Sequence, residues 1–232
     1  MHRIMIGVAL LASVLATVTA PSLASAAIDQ TSWTGMKKEA RLSSGVRLAY
    51  VELGDPKGEP LLLLHGYTDS SRSWSVAAPY LSRYRLIIPD QRGMARLTPP
   101  VCCYNLTTYA DDARQLLDLL RIDRADVVGH SLGSMVAMAL AAENPDRVRS
   151  LTLIGSTALM PVKPGDWLYD NTTIMKTKLV PGSAFAKDWD PANQPTPVDP
   201  AFAEAMTADL YVIEPHVWQS VMRELSEVRI GK

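Results

Sequence analysis

Residues 129–133 read Gly129-His130-Ser131-Leu132-Gly133, a serine between two glycines spaced Gly-x-Ser-x-Gly. Serine is a weak nucleophile unless its hydroxyl is activated and the charge it creates is stabilised. The surrounding sequence offers a frame for both. Asp126-Val127-Val128 is a short strand, and from Leu132 to Ala142 nearly every residue is apolar or small, which predicts a helix buried almost all round. A serine at that junction sits on a sharp, strained strand-to-helix turn with its hydroxyl held out above a sheet. The helix behind it brings unpaired N–H groups and a positive dipole end. The chemistry that fits is acyl transfer, in which Ser131 attacks a carbonyl carbon.

Such a reaction passes through a tetrahedral oxyanion that needs donors at about 3 Å. The backbone N–H of Leu132, just after the nucleophile, is one candidate. The other is the N–H of Tyr67, in the loop His65-Gly66-Tyr67 that follows the apolar run Leu61–Leu64. Gly66 lets the backbone approach closely, and the two loops lie side by side if their strands are neighbours.

The elements that must position these residues alternate. Val46–Leu53 reads as a strand between turn signals, paired with 39–43. Leu61–Leu64 and Arg85–Ile88 are short apolar runs suited to strands buried on both faces. Ser73–Ser82 reads as a helix between them. Residues 106–121 carry Tyr109, Ala113, Leu116, Leu117 and Leu120 at helical spacing. The strand and helix around Ser131 follow, and Leu151–Ile154 is the last clear strand. This order predicts an α/β fold, a mostly parallel sheet with helices on both faces. After about residue 160 prolines recur and buried strand runs stop, although helices near 201–213 and 216–228 are expected. That texture suits an inserted helical lid. The domain reading is a core over 27–159 and a lid segment over 160–232.

The first 26 residues stand apart. A basic start, the apolar run Ile4–Ala16, Pro21 and the small-x-small site Ala24-Ser25-Ala26 form the three parts of a secretory signal peptide, cut before Ala27. The run is short for a spanning helix, which needs about 20 residues. The expectation is a secreted or periplasmic protein with no membrane partner after cleavage. With 47% hydrophobic and 20% charged residues and a net charge of −1, the chain is of ordinary globular composition. It has no cationic cluster of the kind nucleic acid requires. The partner expected is a small acyl substrate, and the sequence is silent on oligomeric state. No Cys or His lies at a metal-binding spacing, so neither a metal nor another cofactor is expected. Cys102 and Cys103 are adjacent, and two thiols are the expectation because a bond between neighbours departs from preferred disulfide geometry. Asn105-Leu106-Thr107 and Asn171-Thr172-Thr173 match the glycosylation sequon, which has meaning only in a eukaryotic secretory pathway.

The stretch 45–159 resembles the α/β-hydrolase superfamily, in its lid-bearing branch of small serine esterases and haloperoxidase-like enzymes. His65-Gly66, Asp90-Gln91-Arg92-Gly93 and Gly129-His130-Ser131-Leu132-Gly133 match in order and spacing. Relatives usually follow Asp-x-Arg-Gly with His-Gly, where this chain has Met94-Ala95. The resemblance implies a serine hydrolase acting on a small ester, lactone or related acyl bond. Ser131 stands where dehalogenases and epoxide hydrolases have Asp, which disfavours those chemistries. By the same analogy His65, His130 and Asp90 are structural or pocket-lining. Chain order in this fold is serine, acid, histidine, and the resemblance puts the last two on loops after two further strands beyond the lid. Only His216 lies downstream of Ser131, in Glu214-Pro215-His216, where a helix-start residue is expected. The acid, the general base and the last strands are therefore expected beyond Lys232. The competing readings are an inactive chain or non-catalytic small-ligand module, and an acyltransferase on the same fold.

Overall fold

The computed structural model describes residues 28–94, 97–160, 162–190 and 198–228. The expected signal peptide, its cleavage site and Ala95 lie outside the described residues. A single turn of helix, α1 (Trp33–Met36), leads into β1 (Lys38–Arg41) and β2 (Arg47–Gly54). Then come β3 (Pro60–Leu64), β4 (Arg85–Pro89), α2 (Leu106–Leu119), β5 (Ala125–His130), α3 (Leu132–Glu143) and β6 (Val148–Ile154). Four more helices follow: α4 (Trp167–Thr173), α5 (Ala184–Trp189), α6 (Pro200–Leu210) and α7 (Pro215–Glu227).

The strands form one six-stranded sheet in the order β1-β2-β4-β3-β5-β6. The hairpin β1–β2 is antiparallel, and β2 joins β4 antiparallel. The pairs β3–β4, β3–β5 and β5–β6 are all parallel. Alternate side chains of the central strands go to opposite faces. Leu62 and Leu64 of β3 join Ile87, Val127 and the buried faces of α2 and α3. Leu61 and Leu63 join Leu86 and Ile88 under Trp33 and Trp74. Burial on both faces is why these strands read as unbroken apolar runs.

Two expectations are corrected. Ser73–Ser82 is two short 3₁₀ turns, Ser71–Trp74 and Ala78–Leu81, instead of one helix. The Ser70 hydroxyl accepts from the Arg72 N–H, and Pro79 opens the second turn, so local side-chain bonds and a missing donor break the helical ladder. Cys102 and Cys103 are joined as a disulfide, not held as two thiols. Cys103 takes a φ of 74°, a backbone conformation rare for a residue with a side chain.

β6 is the sheet edge among the described residues. Leu151, Leu153 and Ile154 are 37%, 38% and 45% exposed there. No helix of the described residues is long and apolar enough to cross a membrane.

Candidate active site

β3 and β5 are adjacent and parallel, with Leu64 opposite Gly129, so the loops after them leave the sheet together. The connection from β3 runs to β4 on one side, and β5 lies on the other. This is the switch point at the carboxyl ends of the strands, where open α/β sheets place ligands. Ser131 stands at the turn between β5 and α3 with φ 50° and ψ −119°, a backbone conformation rare for a residue with a side chain. The Ser131 N–H donates to the Ile154 carbonyl at 2.9 Å, and the Ser131 carbonyl accepts from the Ser134 N–H at 2.9 Å. The strained residue is thus held from β6 in front and from α3 behind.

The two flanking glycines have a steric cause. A Cβ at Gly129 would collide with the Gly133 carbonyl, and one at Gly133 with the Leu64 and His65 carbonyls. Helix α3 therefore approaches β3 through bare backbone. Leu132 is the first residue of α3, and its N–H has no intrahelical partner. The N–H of Tyr67 likewise takes part in no hydrogen bond among the described residues. Tyr67, Leu132 and Ser131 all line the same cavity.

The Tyr67 loop is fixed from several directions. His65 is fully buried; its Nε2 accepts from the Gln91 N–H at 2.8 Å, which leaves Nδ1 as the protonated nitrogen, donating to the Gly66 carbonyl at 2.8 Å. Burial holds its pKa down to about 4, so the ring is neutral. Asp90 accepts from the Ser71 N–H at 2.7 Å and pairs with Lys37 at 2.6 Å. Arg92 grips Asp112 through two bonds of 2.7 Å. The motif residues His65, Asp90 and Arg92 thus tie loops together. The Tyr67 hydroxyl donates to the Trp218 carbonyl of α7, and Trp189 of α5 donates to the Thr68 hydroxyl. Arg72 and Ser70 both reach Asp209 of α6, at 3.0 and 2.8 Å. The C-terminal helices are anchored on this loop.

Between them lies a cavity of about 730 Å³ with Ser131 in its wall. Met135, Met160, Leu168, Phe202 and Leu225 make it largely apolar. His130 lines it, with a pKa lowered by burial. His216 does not. It sits in the first turn of α7, where Nε2 lies 3.0 Å from the Pro100 carbonyl and the ring packs on Tyr104.

One lining residue was passed over in the sequence reading. Asp69 is the only Asp, Glu, Lys or Arg among the described lining residues. Its Oδ2 is 3.9 Å from His130 Nδ1. Burial raises its pKa to about 6, against a backbone hydrogen bond from Gly66 that lowers it. A signal did exist, in an ionisable residue four positions after His65 within a loop aimed at the nucleophile. No metal-binding cluster of acidic, His or Cys side chains occurs among the described residues.

This arrangement, a switch-point serine on a strand-to-helix turn beside the loop that follows the neighbouring parallel strand, defines a class. A model of the alpha/beta hydrolase fold family matches residues 59–177, and the chain belongs to that family. It is 38% identical over 117 residues to an uncharacterised protein of Mycobacterium tuberculosis, across 50% of this chain and 34% of that protein. It is 32% identical over 156 residues to the 2-hydroxymuconate semialdehyde hydrolase of Pseudomonas sp. (strain CF600), across 63% of this chain and 54% of that enzyme. The chain thus spans between a third and just over half the length of these relatives. A crystal structure of a hydrolase from Pseudomonas aeruginosa superposes with a TM-score of 0.71 at 24% identity, over 84% of this chain and 74% of that one, which shows the shared fold.

Proposed function

We propose that the protein is a serine hydrolase that cleaves a small ester, lactone or related acyl bond through an acyl-enzyme on Ser131. Ser131 Oγ attacks the carbonyl carbon while its proton passes to a general base. The carbonyl oxygen becomes an oxyanion held by the N–H groups of Tyr67 and Leu132. Expulsion of the alcohol leaves an ester on Ser131, and water then releases the acid. The observation that carries this reading is the strained Ser131 backbone in the wall of a largely apolar cavity of about 730 Å³ that Tyr67 and Leu132 also line. Strain of this kind is kept where it serves a site.

His130 and Asp69 are the titratable side chains among the described lining residues besides Tyr67, whose phenol burial keeps protonated, and His216 lies elsewhere. The helices after residue 160 act as a lid over the cavity, and residues 1–26 direct export.

The test is labelling by a fluorophosphonate, which forms a covalent bond with an activated serine. In a protein carrying the whole domain, Ser131→Ala is expected to abolish labelling and to lower ester turnover by at least about a thousandfold. Undiminished labelling of the variant would assign the chemistry to another residue.

A further inference from the structure

We propose that Asp69 makes the cavity selective by charge: it admits neutral acyl compounds with a hydroxyl or amide N–H beside the scissile carbonyl, and rejects carboxylates, including the acid product. The proposal rests on reading the cavity as an acyl-substrate site.

The geometry places Asp69 at the reacting centre. A Cβ added to Gly66 would lie 2.9 Å from Asp69 Oδ2, 3.1 Å from His130 Nδ1 and 3.4 Å from Ser131 Cβ, so three side chains converge on one point. Asp69 lies on the same loop as the Tyr67 N–H, and the Asp69 N–H closes that loop onto the Gly66 carbonyl at 3.3 Å. Its side chain is 26% exposed. Among the described lining residues the cavity therefore has a single carboxyl group beside its nucleophile, within largely apolar walls.

The groups facing it decide what that carboxyl does. From β5 the facing titratable group is His130, whose pKa is lowered, so it supplies little positive charge near neutral pH. From the described residues of α5, α6 and α7 the lining side chains are Trp189, Phe202, Met206, Leu210 and Leu225, none charged. Arg72, the nearest cation in sequence, is engaged with Asp209. Above its pKa near 6, Asp69 is thus a carboxylate with no Lys or Arg among the described lining residues to balance it. In a poorly solvated cavity a second anion is repelled, while a neutral donor satisfies the free lone pairs. Hydrolysis itself converts a neutral ester into an anion beside Asp69, so the same charge expels the product.

The experiment measures calorimetric affinities of a protein carrying the whole domain for two inert probes of equal length, hexanesulfonamide and hexanesulfonate. Hexanesulfonate is anionic at every pH used. At about pH 8 hexanesulfonamide, neutral and an N–H donor, is expected to bind at least about tenfold more tightly. At about pH 5, with Asp69 protonated, the ratio is expected to shrink to about threefold or less. Asp69→Asn should show the small ratio at both pH values. His130→Gln should keep the pH dependence, which separates Asp69 from the other titratable group. The proposal is overturned if Asp69→Asn keeps the large ratio at pH 8, if the wild-type ratio is the same at both pH values, or if neither probe binds. Should the Asn variant fail to fold, the wild-type pH comparison decides alone. Neither probe reacts with serine, so a failure of Ser131 to label leaves this result standing on its own.

Discussion

Two ionisable side chains of the loop after β3, the buried His65 and the part-buried Asp69, act on stability with opposite signs. His65 is kept neutral, with its pKa lowered from 6.5 to about 4 by burial. Between those values the unfolded chain binds a proton that the folded chain refuses, so stability falls as the pH drops, by up to about 1.4 kcal/mol per pH unit. Asp69 has its pKa raised from 3.8 to about 6 by burial. There the folded chain holds the proton, so stability falls as the pH rises through the same interval. From about pH 4 to 6 the two contributions oppose each other and nearly cancel. Asp69→Asn is expected to uncover the histidine: its urea midpoint should fall more steeply than the parent's on acidification from pH 6 to pH 4. Parallel slopes for the two proteins would refute the burial account of Asp69.

The junction of β5 and α3 carries two kinds of backbone demand, and substitutions should separate them. Ser131 holds a left-handed backbone despite its side chain. Glycine there is expected to raise stability by about 1 kcal/mol while eliminating fluorophosphonate labelling. A melting temperature for Ser131→Gly at or below the parent's would mean the turn is not strained. Gly133→Ala should do the reverse. Its Cβ meets the Leu64 and His65 carbonyls, which are held at the end of a central strand and cannot move aside. A loss of about 3 kcal/mol or more is expected. Chemical denaturation with a loss below 1 kcal/mol would show that α3 can shift away from β3.

Across the whole molecule, the least protected feature is the β6 edge. Leu151, Leu153 and Ile154 are exposed on a strand whose outer hydrogen-bonding side has no neighbour among the described residues. Such an edge is a template for pairing with another chain. The carboxyl end of β6 also supports the site, because the Ile154 carbonyl accepts the Ser131 N–H. Residues 28–232 produced alone are therefore expected to self-associate and to turn over a short nitrophenyl ester negligibly. Leu151→Lys combined with Leu153→Lys should lower light scattering markedly. A monodisperse, active 28–232 protein would contradict both expectations.

The order of strands, the two motif loops and the position of Ser131 were legible in the sequence, because apolar period, turn residues and the two glycines are local signals. Buried runs such as Leu61–Leu64 and Arg85–Ile88 can form only where both faces of a sheet are covered. The interval 73–82 was misjudged because its periodicity is helical, while Ser70 bonds and Pro79 favour tighter turns. The bond between Cys102 and Cys103 comes with a positive φ at Cys103 that residue types do not specify. Asp69 was missed for a related reason. Its surface in the cavity, its distance from His130 and its raised pKa arise from helices more than a hundred residues away that close over the loop. The sequence by itself determined the family and the nucleophile's candidate. Only the tertiary structure decided which charge stands beside that nucleophile, because desolvation and convergence are properties of packed neighbours and not of spacing along the chain.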